Sequence, residues 1–219
     1  MIEIATSILN VEKEKAIKTF YNLEAAKTDY FHIDVMDGKF VKDNTFDKMR
    51  TYSEQIKSIS NIPLDVHLMV EDVKKYIEEF LPVFPCFITI HKEVFDSYEE
   101  LFDIINFIKE HNVKVGVSIK PKTNIEELYP ILDKVHLVLI MTVEPGKGGQ
   151  KLIPETIDKI RKLCKYREEN NLDFYIEADG GINLENIKEL KNVGADIAVC
   201  GTAIINSNNY METIDKLKK

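Results

Sequence analysis

Eight times along this chain a short β-rich run is followed by a longer stretch whose apolar residues recur every three or four positions. The runs fall at 2–9, 30–36, 64–69, 87–91, 114–119, 135–143, 174–178 and 197–200. The helical stretches fall at 11–27, 46–59, 73–81, 98–111, 125–132, 154–170, 184–193 and near 210–217. In the first of these, Ala16, Phe20, Leu23 and Ala26 share one face. Strands this short and apolar are suited to burial, and regular alternation with helices gives a parallel sheet covered on its outside. Eight such units in 219 residues, with no linker or low-complexity segment, predict a single-domain (β/α)8 TIM barrel over 1–219 rather than an open doubly wound sheet.

Bulk properties narrow the partners. An apolar content of 44% fills one core. A formal net charge of -8 argues against nucleic acid and a membrane surface as partners, since both favour a basic face. An anionic ligand must therefore have its charge met locally. Cys86, Cys164 and Cys200 are odd in number and include no CxxC pair, which argues against a disulfide framework or a zinc ribbon and for a reducing cytosol. Neither a signal-peptide pattern nor an 18-residue apolar run is present, and the expected location is cytoplasmic.

Polar residues interrupt two of the strands in a matched way. In FHIDVMDGKFV, residues 31–41, alternation places His32, Asp34 and Met36 on one face; in LDVHLMV, residues 64–70, it places Asp65, His67 and Met69 on one face. Polar groups turned into an apolar interior cost several kcal/mol unless paired or bound to a metal, so two such rows facing one space predict a site. Barrel chemistry gathers where strands end, and Ser7, His32, Asp34, His67, Met141 and Asp179 all fall near strand ends. His32, Asp34, His67 and Asp179 form a mixed nitrogen and oxygen set suited to one divalent ion: zinc, iron, manganese or cobalt. The alternative is a neutral hydrogen-bonded cluster.

Asp34 and Asp179, from strands across the barrel mouth, also make a plausible acid/base pair. Carboxylates on two faces of a small substrate suit inversion at a carbon next to a carbonyl, one taking the proton and the other returning it. The mismatch between an aspartate and such a carbon acid is roughly fifteen pKa units, on the order of 20 kcal/mol, so a Lewis acid must stabilise the enediolate. Met36, Met69 and Met141 are placed to ring the site and keep it dry.

Glycines follow three successive strands: Gly146, Gly148 and Gly149 in VEPGKGGQ, Gly180 and Gly181 in DGGIN, and Gly201 with Thr202 in CGTAI. Loops there let backbone N–H groups close on a phosphate, and Lys147 adds a positive charge. Asp65 and Glu177 are expected one layer below, orienting the histidines. His91 is expected on the rim in a supporting role, whereas His111 and His136 receive none. A barrel aldolase would need a Schiff-base lysine, and Lys120, followed by Pro121, is the nearest. A silent sugar-phosphate binder would have no use for an acid/base pair.

SIL near the start, HIDVMDGKFV, LDVHLMV, ITIHKE, MTVEPGKGGQKLIPET, DGGIN and GTAI, in this order across essentially the whole chain, resemble the ribulose-phosphate 3-epimerase family. The resemblance implies a metal-dependent barrel interconverting D-ribulose 5-phosphate and D-xylulose 5-phosphate, and a homo-oligomer. It implies His32, Asp34, His67 and Asp179 as ligands, Asp34 as proton acceptor, Asp179 as donor, and Ser7 and His67 on the sugar. It places the phosphate at 146–149, Gly180, Gly181, Gly201 and Thr202. The chain departs from the family pattern in reading KFVKDN for HFVPN, Lys147 for phenylalanine and Thr202 for a common serine. Related epimerases act on hexulose 6-phosphates such as D-allulose 6-phosphate, the alternative substrate class.

Overall fold

A computed structural model describes residues 2–219, in which the eight runs are eight parallel strands closed into a barrel. They are β1 (Glu3–Ser7), β2 (Tyr30–Met36), β3 (Leu64–Met69), β4 (Phe87–His91), β5 (Lys114–Ile119), β6 (Leu137–Met141), β7 (Tyr175–Asp179) and β8 (Ile197–Cys200), in sequence order around the ring, with β8 pairing β1. Outside them lie α1 (Ala16–Ala25), α2 (Phe46–Ile59), α3 (Val73–Phe80), α4 (Tyr98–Glu110), α5 (Glu155–Glu169), α6 (Ile187–Asn192), α7 (Thr202–Ile205) and α8 (Tyr210–Lys218). Among the described residues no helix is long and apolar enough to cross a membrane.

Several boundaries differ from the pattern reading, each for a local reason. The runs at 2–9 and 135–143 contract to β1 and β6, because Ile8, Val135 and Val143, though buried against the barrel, lie beyond the paired register. Apolar patterning reports burial, not pairing. β7 is shifted by one residue, which carries Asp179 into the strand. The fifth helical stretch is a 3-10 segment, Ile125–Lys134, because Pro130 lies inside it and has no N–H to give an α-helical ladder. The stretch at 184–193 shortens to α6, since Asn183 N–H donates to Asn186 Oδ1 at 2.9 Å and the Asn186 amide donates to Gly181 O at 2.9 Å, turning that segment into a loop. α7 was not indicated by periodicity, being a single turn.

Two cores follow from the barrel's two surfaces. The larger packs the outward strand residues, such as Ile33, Val66 and Ile88, against helix residues such as Phe20, Ile56 and Leu101. The smaller lies inside, where Ala5, Phe87, Leu137, Leu139, Met141, Ile197 and Val199 come from β1, β4, β6 and β8. The rest of the interior is polar: His32, Asp65, His67, Thr89, His91, Ser118 and Glu177 are all buried there. This division puts the polar groups of β2 to β5 and β7 together in a barrel that is elsewhere dry.

Candidate active site

Register builds the site. β2 and β3 pair so that His32 lies beside Asp65 and Asp34 beside His67, while β1 sets Ser7 beside His32 and β6 sets Met141 beside Asp179. The same-face rows of β2 and β3 thus form two tiers, an upper one at the strand ends and a lower one beneath. β7, three strands from β2 around the shorter arc, contributes Asp179 above and Glu177 below.

In the upper tier four side chains converge. His32 Nε2 lies 3.4 Å from Asp34 Oδ1 and 3.7 Å from Asp179 Oδ2; His67 Nδ1 lies 3.7 Å and 3.5 Å from the same two oxygens. Both nitrogens are buried and have no hydrogen-bond partner. All four ligand atoms lie within 4.8 Å of one another. Edges of this length match a tetrahedral ion with bonds of about 2.1 Å, for which the ligand–ligand edge is about 3.4 Å. The two orphaned imidazole nitrogens and the nitrogen and oxygen donor set therefore fit a divalent metal. Without one, the groups polarise each other. Burial alone would push His32 down, but the Asp65 and Asp34 carboxylates raise it well above its ordinary value. Burial likewise opposes ionised Asp34, yet His32 and then His67 hold it far below the usual carboxylate range.

The lower tier and the flanks hold these four side chains in place. His32 Nδ1 donates to Asp65 Oδ2 at 2.5 Å, with Glu177 Oε1 at 3.9 Å. Burial raises the Glu177 carboxyl well above the ordinary range, and Asp65 adds to the effect. His67 Nε2 meets His91 Nε2 at 2.9 Å, and His91 Nδ1 meets Glu93 Oε2 at 3.1 Å. The Ser7 hydroxyl donates to the second oxygen of Asp34, Oδ2, at 2.7 Å. In the motif after β2, Asp37 staples the loop by accepting from the backbone N–H groups of Lys39, Phe40 and Glu71.

Above this four-residue cluster opens a cleft bounded by the loops after β1, β6, β7 and β8. Asp34 and Asp179 line it, as does every residue expected to contact substrate except His67, which is fully buried and outside the lining. Met36, Met69 and Met141 are buried around the carboxylates. The glycines require their positions: Gly180 and Gly181 have φ of +123° and +69°, and a Cβ on Gly181 would stand 2.3 Å from Leu152 N. Gly201 caps the first turn of α7. Lys120 is not in the cleft; its ammonium sits 3.8 Å from the Phe40 ring centroid and lines a neighbouring cavity. The strand-end lysine that the Schiff-base alternative requires is therefore outside the cleft, and the lysine that does line it, Lys147, belongs to the loop after β6.

Sequence reading missed Asn10 and Gln150 as cleft residues and Glu93 as a partner of His91. Asn10 follows β1 by three residues and packs against the Gly148 position, a contact made only by the fold. The ITIHKE motif did carry a signal, since His91 and Glu93 stand two apart at a strand end.

A sequence model described as the ribulose-phosphate 3 epimerase family matches residues 3–205. The chain is 35% identical to the ribulose-phosphate 3-epimerase of Escherichia coli strain K12, covering 98% of this chain and 94% of the relative. It is 36% identical to that of Methanocaldococcus jannaschii, covering 100% and 91%. Among solved structures, KGPDC from Streptococcus mutans superposes with a TM-score of 0.72 at 12% identity, covering 100% and 96%, a likeness of fold alone. The 3-hexulose-6-phosphate synthase of Salmonella typhimurium does so with a TM-score of 0.68 at 15% identity, covering 99% and 96%.

Proposed function

The chain belongs to the ribulose-phosphate 3-epimerase family, and from that premise we propose that it inverts C3 of a ketose phosphate, interconverting D-ribulose 5-phosphate and D-xylulose 5-phosphate. The observation that carries this is the pair of buried carboxylates, Asp34 and Asp179, which meet at one cluster and both line the cleft. Asp34, held ionised by His32 and His67, takes the C3 proton from one face. Asp179 returns a proton to the opposite face, and in the reverse direction the two exchange roles. The Ser7 hydroxyl orients Asp34 through Oδ2. Met36, Met69 and Met141 keep water from the carbanionic carbon. The glycine loops after β6, β7 and β8 receive the phosphate, with Lys147 adding charge at the rim.

His32, Asp34, His67 and Asp179 would hold the metal, from zinc, iron, manganese or cobalt. When bound, the ion supplies Lewis-acid stabilisation of the charge that develops on the substrate oxygens. The reading also carries a homo-oligomer and a reducing cytosolic setting, the latter supported by three unpaired cysteines.

The test is exchange of the C3 hydrogen with solvent deuterium, followed by NMR. Wild type is expected to exchange D-ribulose 5-phosphate much faster than D-allulose 6-phosphate. Asp34→Asn and Asp179→Asn are each expected to lose turnover by at least about a hundredfold. Full turnover in either variant would falsify the two-carboxylate mechanism.

A further inference from the structure

We propose that Glu93, acting through His91, is a positioning residue that fixes which nitrogen of His67 faces the metal cluster. The inference rests on the reading of His67 as a ligand. His67 turns Nδ1, which has no hydrogen-bond partner, toward Asp34 and Asp179, so as a ligand its ring proton sits on Nε2. That nitrogen faces His91 Nε2 at 2.9 Å. Two imidazole nitrogens at this distance share one proton, so His91 accepts at Nε2 and, when neutral, carries its own proton on Nδ1. There it donates to Glu93 Oε2 at 3.1 Å. The donors thus run one way, outward from the cluster, and end on a carboxylate.

Glu93 is fixed in turn. Its Oε1 accepts from Lys120 N at 2.7 Å and from the Thr123 hydroxyl. His91 is fully buried, its ring meeting that of His67 edge to edge with the planes 27° apart, and its centroid lies 4.7 Å from that of Phe40. The two cluster histidines are therefore backed differently: His32 directly by Asp65 at 2.5 Å, and His67 at one remove through a second imidazole.

Replacing Glu93 by glutamine keeps the shape and reverses the direction. The backbone N–H of Lys120 can only donate, so the amide oxygen must face it and the amide NH₂ must face His91 Nδ1. His91 Nδ1 then accepts, its proton moves to Nε2, and that nitrogen donates to His67 Nε2. His67 is left with its proton on Nδ1, the nitrogen needed by the metal.

The experiment is a titration of the metal-free enzyme with Co²⁺, read by visible absorption and chelator competition. Glu93→Gln is expected to weaken Co²⁺ binding by about 10- to 100-fold and to change the absorption bands, the usual scale for the partner of a ligand histidine. If Glu93→Gln does not fold, His91→Phe keeps a ring of similar size without an acceptor for His67 Nε2 and should show the same loss. Wild-type affinity and spectrum in the folded Glu93→Gln protein, whatever its melting temperature, would overturn the inference alone. Failure of wild type to take up Co²⁺ would instead overturn the metal reading, and the inference with it.

Discussion

His32 shows how far neighbours can move one side chain. Burial disfavours its charge, but the Asp65 and Asp34 carboxylates win and raise it well above its ordinary value of 6.5. A raised histidine contributes stability that is complete below its unfolded pKa and is lost as pH rises through the folded one. In the metal-free protein this contribution therefore fades on the alkaline side of pH 6.5. Asp34, depressed, works in the other window: its stabilisation is present above 3.8 and is lost as pH falls through its lower folded value. A bound metal replaces the protons on His32 and His67, so the rise in melting temperature on adding metal should be larger at about pH 8 than at about pH 6. Calorimetry at both values checks this, and equal rises would mean the histidines shed no protons. Lys147, exposed at the cleft rim and without an ion-pair partner among the described residues, is placed to attract the phosphate. Lys147→Ala should raise KM several-fold, flatten its dependence on salt and leave kcat nearly unchanged, as steady-state rates at two ionic strengths would report.

At the scale of elements, the β2–β3 pairing is decisive. A slip of one residue would turn His32, Asp34, Asp65 and His67 from the barrel interior to its helix-covered face, so the hydrophobic residues between them, Ile33, Val35, Val66 and Leu68, lock the site by locking the register. The loop between β7 and α6 is as tightly specified. Gly181 adopts a left-handed φ of +69°, and a methyl group there would collide with the backbone of Leu152. Gly181→Ala is expected to cost about 1–3 kcal/mol of stability and to raise KM more than it lowers kcat, because it displaces phosphate-facing loops rather than the carboxylates. Thermal denaturation and steady-state kinetics together test it; an unchanged melting temperature would show that the loop relaxes freely. Periodicity revealed the eight strands and most helices, since amphipathic spacing is local. It did not reveal the 3-10 segment around Pro130 or the single-turn α7, because one helical turn is too short to display a period.

At the scale of the whole molecule, a metal that binds only the folded barrel must stabilise it. At a hundredfold excess over its Kd the gain is about 2.7 kcal/mol, so a chelator should lower the melting temperature by several degrees and abolish C3 exchange, both recovering when metal is restored. Such a binding energy is global because the four proposed ligands span β2, β3 and β7, which no fragment of the chain holds together. The sequence by itself determined the eight alternating units, the inward rows of His32, Asp34 and His67, the glycine loops and, through its motifs, the family. These are local properties, written in spacing and residue type along one segment at a time. Only the tertiary structure decided that Asp34 and Asp179 meet at the same two imidazole nitrogens, that Asn10 closes on Gly148, and that Glu93 stands behind His91. Those contacts depend on closing the barrel, which brings strands distant in sequence to within hydrogen-bond reach and buries their polar groups where each must find a partner.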